Sequence, residues 1–449
     1  MNHKKDRPFL KPPIKRVSRL YLFTRTLVKQ GAGRFHRYMG IKDIGSLPKR
    51  KDPIIFVSNH QNGMMDPLLI TSILKPQLHW LTRADVFWNP VFRRVLFALH
   101  QMPIYRQRDR LTDLRERNNA IWECCIDRLE IGAVISIFPE GNHNPQKTIR
   151  SLKSGLSDLL GRSLTKHESL KRIKVIPLGL DYEDYPGFRR RFRLRMGKPV
   201  EWVDLYDTET EKVNFNQLTD RIQSAIREIA VDIRPYEKYD DLLPYVNALR
   251  TTEASAKAWT EITRSLEKIS MLKDMEEITK AANQLREAGF ESPKMRVEAW
   301  GVSLLDVRKK KLWAVALRPL SWIANAPTFM QQLYLNYRGD KVKAIEFRST
   351  LKIGAGMVVY PLSWTLTAVV LGGIASRNGL SFFGWSSFFE VFFAYWAFAT
   401  FGNSFYGWLQ GHLHDHKDAI DGERFWNDQK SAALREAWMN YIAVVKKHL

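Results

Sequence analysis

Cysteine is almost missing from this chain. Its only two, Cys124 and Cys125, are adjacent. Neighbouring cysteines rarely bridge, so a disulfide framework is excluded and a reduced protein is expected. Acidic residues are also short: 47 Asp and Glu stand against 70 Lys and Arg, a net charge of +23 over 449 residues. Such an imbalance points to nucleic acid, anionic lipid or polyanionic substrates, and says nothing about fold. No apolar run opens the chain. Its first sixteen residues are basic and proline-rich, so no secretory signal peptide is expected. Zinc-ligand spacing, an RNA-binding sheet signature and an interleaved aromatic–basic platform are all missing, so nucleic acid is not expected as a partner. A hydrophobic share of 45% excludes disorder. The length allows two or more domains with a real core.

What is present centres on Ile54-Ile-Phe-Val-Ser-Asn-His-Gln-Asn-Gly-Met-Met-Asp-Pro67. The opening residues read as a buried strand, and Asn62-Gly63 is a turn signal. His60 and Asp66 flank that turn. A neutral imidazole takes a proton from a hydroxyl, and a carboxylate beside it orients the ring and stabilises the imidazolium. Residues six apart do not share a face of a straight helix. The pair works only if the turn brings Asp66 back to His60. The alternative is a surface histidine and an aspartate that caps the next helix.

Downstream, strands alternate with helices. Leu68 to Leu74 reads as a helix start, His79 to Ala84 as a strand and Arg93 to His100 as a basic amphipathic helix. Met102-Pro-Ile-Tyr-Arg106 is a strand running into a basic loop, where Arg106 or Arg108 has the fork geometry to grip a phosphate. Asn118 to Leu129 is helical. Ala133 to Phe138 is a strand that ends in the tight turn Pro139-Glu140-Gly141, with Lys153 and Gly155 opening the next helix. Ile173 to Pro177 is another strand. The pattern predicts an α/β fold with a mostly parallel sheet flanked by helices, and the special residues at strand ends where open α/β sheets place their sites.

The ordered set Asn59-His60…Asp66, Met102-Pro-Ile-Tyr-Arg106, Phe138-Pro-Glu-Gly141 and Val175-Ile-Pro177 resembles the four blocks of the phospholipid/glycerol acyltransferase family, which contains lysophosphatidic acid and glycerol-3-phosphate acyltransferases. The resemblance covers roughly residues 20 to 230. It implies that His60 is the base and Asp66 its partner. It also implies a substrate pocket formed by Asn59, Arg106, Glu140, Gly141, Lys153 and Pro177, with Arg106 on the acceptor's phosphate. The reaction it implies needs no metal or cofactor, with acyl-CoA or acyl-carrier protein as co-substrate. Five residues separate His60 from Asp66 where the family usually has four, and Asn142-His143 stands where it has Thr and Arg or Ser. Both departures are similar to a subgroup that includes fungal glycerol-phosphate/dihydroxyacetone-phosphate acyltransferases, as does Leu152-Lys-Ser-Gly155. They leave the acceptor open: aminolipid or lysophospholipid acceptors are alternatives, as is a non-catalytic scaffold of the same fold.

The remainder reads as attachment. Residues 1–51 hold fifteen Lys or Arg and only Asp6 and Asp43 as acids. Leu20, Phe23, Thr24, Leu27 and Val28 follow helical spacing beside basic residues, which suits an anionic bilayer surface; an ordinary helix with a solvated basic face is the alternative. Residues 52–233 form the expected catalytic domain, closed by an amphipathic helix from Asn216, and 234–311 a charged helical arm. Residues 312–410 are expected to be membrane-inserted. Trp313 to Ile323 suits an interfacial segment. Ile353 to Ala375 runs 23 residues without a charge, and Leu380 to Phe401 is a second candidate with Glu390 inside it. Arg338, Lys341, Lys343, Arg348 and Lys352 precede the first span and Arg377 alone separates the two, which puts both ends in the cytoplasm. A buried helical hairpin is the alternative. Residues 411–449 form a polar tail. There His412, His414 and His416 with Asp415 have metal-binding chemistry but read as interfacial polar residues. The expected location is the cell membrane, with the catalytic domain on the cytoplasmic face.

Overall fold

The computed structural model describes residues 9–14, 17–37, 41–42, 52–249, 256–272, 275–290, 304–343, 345–381, 384 and 386–448. Of the basic segment 1–51, residues 1–8, 15–16, 38–40 and 43–51 lie outside these, as does 291–303. The chain divides into two units. The first holds 1–32, 39–181 and 192–230, and the second holds 33–38, 182–191 and 231–449.

Among the described residues the main sheet of the first unit has seven strands: β1 (Ile41–Lys42), β2 (Ile54–Ser58), β3 (Leu78–Arg83), β4 (Gln101–Ile104), β5 (Val134–Ile137), β6 (Lys174–Tyr182) and β7 (Phe192–Met196). Their order in the sheet is β1-β7-β6-β2-β5-β3-β4, and the pairs β1–β7, β6–β2, β2–β5, β5–β3 and β3–β4 run parallel. All five residues of β2 are buried, as are all four of β5. Continuous burial is what a parallel strand covered on both faces requires, and it explains the unbroken apolar runs of the sequence. Helices α1 (Arg19–Phe35), α2 (Met65–Ile73), α3 (Pro90–Ala98), α4 (Leu114–Glu130), α5 (Gly155–Lys166) and α6 (Phe215–Arg227) accompany the strands. Ile55, Ile135 and Val175 meet Ile121, Ile126, Leu159 and Ile222 in one core.

Register fixes where the site forms. Val57 is paired with Ile137 on one side and Pro177 on the other. The residues that follow β2 and β5 therefore leave the sheet side by side, at its carboxyl edge. Arg83 is paired with Ile104, which brings the loops after β3 and β4 out together at the same edge.

The second unit is helical: α7 (Tyr239–Leu249), α8 (Ala256–Ser270), α9 (Glu276–Glu287), α10 (Leu304–Ala316), α11 (Arg318–Asn325), α12 (Phe329–Asp340), α13 (Ile345–Arg377), α14 (Ser387–Asn427) and α15 (Ala432–Lys447). The expected arm and tail meet in this unit. Leu242, Ile269, Ile278 and Leu285 share a core with Phe425, Trp438, Tyr441 and Val445. Amphipathic helices must bury their apolar stripes, and these do so against one another.

Among the described residues one helix, Phe347–Arg377, is long and apolar enough to cross a membrane by length and composition. Its outward stripe is Val358, Leu362, Leu366 and Val370, which are 58–65% exposed. Glu390 is central to the second apolar stretch in sequence but not to the helix that forms there. It lies in the first turn of α14, where a helix N-terminus favours a carboxylate. The histidines of 412–416 have separate company. His412 meets Lys311 and the rings of Trp313 and Trp408, His416 meets the carbonyl of Arg308, and Asp415 pairs with Arg37 and Arg191. Among the described residues no group of three or more His, Cys, Asp or Glu side chains is placed to hold a metal ion.

Candidate active site

The chain leaves β2 through Ser58-Asn59 and turns at Asn62-Gly63. Gly63 has φ +35°, and the carbonyl of Asn62 accepts from the amides of Met65 at 2.7 Å and Asp66 at 3.3 Å. That turn starts α2 and puts Asp66 in its first turn, where the helix dipole favours a carboxylate. Asp66 is fully buried. Its Oδ2 lies 2.8 Å from His60 Nδ1 and accepts from the amides of Gln61 at 2.7 Å and Asn62 at 2.9 Å. Three donors on one oxygen fix the carboxylate, and the carboxylate fixes the ring. Nδ1 is engaged as the donor to Asp66, which leaves Nε2 as the nitrogen with a lone pair. The turn therefore makes the closure that the six-residue spacing demands.

The loop after β5 supplies the other face. Phe138 stacks on His60 with centroids 4.0 Å apart, Trp80 stacks on Phe138 at 5.3 Å, and His143 meets His60 edge-on at 5.6 Å. The amide of Asn144 donates to the carbonyl of His60 at 3.0 Å. Gly141 has φ +80° and donates to the carbonyl of Phe138 at 3.0 Å, a turn that a side chain would strain. Lys153 closes the loop by donating its amide to Pro139 at 2.8 Å. Its side chain is exposed, with Cγ 3.4 Å from where a Gly141 Cβ would sit.

Glu140 is buried, and its Oε2 accepts from Arg150 Nε at 3.0 Å and from Arg150 Nη2. The same guanidinium reaches the side chain and carbonyl of Asn142. Burial pushes the Glu140 carboxyl up to about 6, against the pull of Arg150 and of His60. Sequence reasoning missed Arg150; the charge opposite a glutamate destined for burial was its only signal. It also missed the buried pair of Lys147 and Asp181, at 3.1 Å.

Arg106 is held at the end of β4 by its neighbour. Asn118 on α4 accepts from the Tyr105 amide at 3.0 Å and donates to its carbonyl at 2.9 Å. Arg106 Nη2 lies 3.7 Å from both Asp85 and Asp109, near enough for charge and too far for a hydrogen bond, and its Nε makes none. The fork is oriented and unspent.

Asn59 and Pro177, two of the expected substrate contacts, are engaged within the sheet. Asn59 is fully buried, and its amide donates to Leu180 O at 3.1 Å and accepts from Leu180 N at 2.8 Å, clamping the end of β2 to β6. Pro177 is buried within β6, where its carbonyl accepts from Gly197 and its ring fills the space a Gly197 side chain would need.

Known proteins are similar to part of this chain. A curated relative from Schizosaccharomyces pombe, an uncharacterized acyltransferase, is 29% identical over 114 residues, 24% of this chain and 17% of its own. Glycerol-3-phosphate O-acyltransferase 1 of Saccharomyces cerevisiae is 24% identical over 124 residues, 26% of this chain and 16% of its own. The chain thus spans about a sixth of the length of these relatives. The crystal structure of a 1-acyl-sn-glycerophosphate acyltransferase from Thermotoga maritima aligns over 46% of this chain and 80% of that one, with 17% identity and a TM-score of 0.33. The acyltransferase family model matches residues 40–181, which contain the His60–Asp66 pair, Arg106 and Glu140, and that segment is a domain of the acyltransferase family.

Proposed function

We propose that the chain is a membrane-bound O-acyltransferase. It transfers a fatty acyl group from acyl-CoA or acyl-carrier protein to the hydroxyl of glycerol-3-phosphate or 1-acyl-glycerol-3-phosphate. The observation that carries this reading is the 2.8 Å contact of His60 Nδ1 with Asp66. His60 Nε2 takes the acceptor hydroxyl's proton as the oxygen attacks the thioester carbonyl. The intermediate then expels the thiolate, which recovers that proton. Asp66 stabilises the imidazolium throughout. Arg106 offers its fork to the acceptor phosphate, where charge-assisted bonds displace the distant Asp85 and Asp109. No cofactor enters this route.

Membrane attachment is supported by the outward stripe of α13 and by α1, whose Leu20, Phe23 and Leu27 are exposed beside Arg19 and Arg25. The catalytic unit would then work at the cytoplasmic face of the cell membrane. A panel of acceptors, read as free thiol released from acyl-CoA and from acyl-carrier protein, tests the reading. Thiol release that depends on a phosphorylated glycerol acceptor is expected. Release favoured by an aminolipid or lysophospholipid changes the acceptor, and a thioester left unconsumed with every acceptor identifies a scaffold.

A further inference from the structure

Between Lys311 and Arg338 the sequence runs 26 residues with Arg318 as its only charge, broken by Pro319 and Pro327. This stretch contains the end of α10, all of α11 and most of α12, each too short to span a bilayer. We infer that it is a re-entrant hairpin, which enters one leaflet from the side where α13 begins, turns at Asn325–Thr328 near the bilayer midplane and leaves on the same side. The inference rests on the membrane reading given above for α13.

Two helices serve as depth rulers. At the entrance, Lys311 meets His412 of α14, and Trp313 packs on Trp408 and His412. At the tip, Ala324 lies so close to Gly402 of α14 that an added Cβ would stand 2.4 Å from its carbonyl oxygen. Ten residues of α14 separate these levels, about 15 Å at 1.5 Å per residue. The returning limb gives the same depth on α13. Gln331 meets Ser363, whereas Asp340 pairs with Lys352 at 3.2 Å and Gly339 lies against the same lysine. Eleven residues of α13 lie between these, about 16 Å. Both limbs thus fall about half of a hydrocarbon core of roughly 30 Å and start from the same level.

The chemistry at each depth agrees. Irregular backbone within a bilayer persists only where its polar groups are met inside the protein. Thr328 is fully buried, and its hydroxyl donates to Asn325 O at 3.0 Å. Asn325 and Gln332 exchange both amide bonds, at 3.1 and 2.9 Å. With the Gln331 amide turned to satisfy both of its ends, its nitrogen donates to the carbonyls of Pro327 and Thr328 at 3.2 and 3.1 Å. The outward faces of the limbs are apolar: Leu320, Trp322, Ile323 and Met330 are 54–69% exposed. At the exit, Lys341 lies over the Tyr337 ring, an aromatic and cationic anchor of the kind that marks a bilayer surface. Arg318 sits over the Trp322 ring, on a stem long enough to reach back to the headgroups.

The test uses the full chain in oriented vesicles. Single variants Lys309→Cys, Lys341→Cys and Asn378→Cys are treated with an impermeant maleimide from each side; the native Cys124 and Cys125 are buried. Positions 309 and 341 are expected to label from one side and 378 from the other. A fluorophore on Met330→Cys is expected to be quenched by nitroxides deep in the acyl chains and not by headgroup nitroxides, with the reverse at 341. Labelling of 309 and 341 from opposite sides overturns the hairpin while α13 still spans, as does shallow quenching at 330. Labelling of all three from one side removes the membrane reading, and the hairpin with it.

Discussion

Phe138 lies flat on His60, with ring centroids 4.0 Å apart and planes 12° apart. The stack joins the end of β5 to the turn after β2, so one face of the base is held by a neighbouring strand and its edge by Asp66. An aromatic pair is worth about 0.5–1.5 kcal/mol beyond its burial. Phe138→Leu keeps an apolar side chain and loses the flat face. We expect kcat to fall by about twofold to tenfold on that energy, with the donor KM unchanged, measured by thiol release. An unchanged kcat would show that Asp66 alone orients the ring.

Removal of the base is the larger step. His60→Ala should keep the fold, because the ring is at the protein's edge and partly exposed, and should cost about 10²–10⁴ in rate. Asp66→Asn should cost a similar or smaller factor, since an amide presents the wrong group to Nδ1. Circular dichroism checks the fold and thioester consumption checks the rate. Turnover of His60→Ala at the wild-type level would remove the mechanism.

The strands, their parallel run and the residues at their ends were legible in the sequence, because a doubly covered strand leaves an unbroken apolar run and Asn62-Gly63 leaves a turn. The partners that position those residues were not. Arg150 is ten residues from Glu140 and Leu180 is 121 from Asn59, and no period or spacing links them. The hairpin of α11 and α12 was invisible for a related reason: hydropathy records how long a segment stays apolar, not that it turns back. The arm and tail read as separate because their shared core joins residues such as Tyr441 and Asp241, 200 positions apart.

Arg106→Ala should raise the acceptor KM and leave the donor KM alone. Hydrogen bonds to a charged group contribute about 1.5–3 kcal/mol, which is roughly tenfold to a hundredfold in KM. Asp85 and Asp109 at 3.7 Å give a second handle. Asp85→Asn should lower the acceptor KM by releasing the fork. Equal effects of Arg106→Ala on both substrates, or preference for an acceptor without phosphate, would take the phosphate away from Arg106.

Glu140 gives the site a pH dependence. Its carboxyl is raised from 4.5 to about 6 by burial, which outweighs Arg150. Between those values the folded chain binds more protons than the unfolded one. The contribution is therefore fully present below 4.5 and is lost as pH rises through about 6. Glu140→Gln removes it, so the stability of wild type relative to this variant should fall by on the order of 2 kcal/mol across that window. Chemical unfolding at pH values on either side of the window measures it. Parallel stability curves for the two proteins would show that Arg150 holds the carboxyl at its ordinary value.

On the proposed membrane reading, attachment separates into two terms with different salt dependence. The exposed face of α1 carries Arg19 beside Leu20 and Phe23, with the half-buried Arg25 at its edge. Each such cation near an anionic surface contributes about 1 kcal/mol, and this fades as the Debye length shrinks with salt. The stripe of α13 is apolar, and burial of such a stripe in lipid would not respond to salt. A truncation before α13 would strip Trp438 and Tyr441 from the second core, so the test keeps the chain whole. Full-length protein should stay in the membrane pellet after high-salt and alkaline washing. Phe23→Ser with Arg25→Ser should leave that retention intact and reduce acylation of bilayer-borne acceptors more at low salt than at high. Release of the wild type by salt alone would show that α13 and α14 form a buried hairpin, and that the exposed stripe of Val358, Leu362, Leu366 and Val370 is covered by protein.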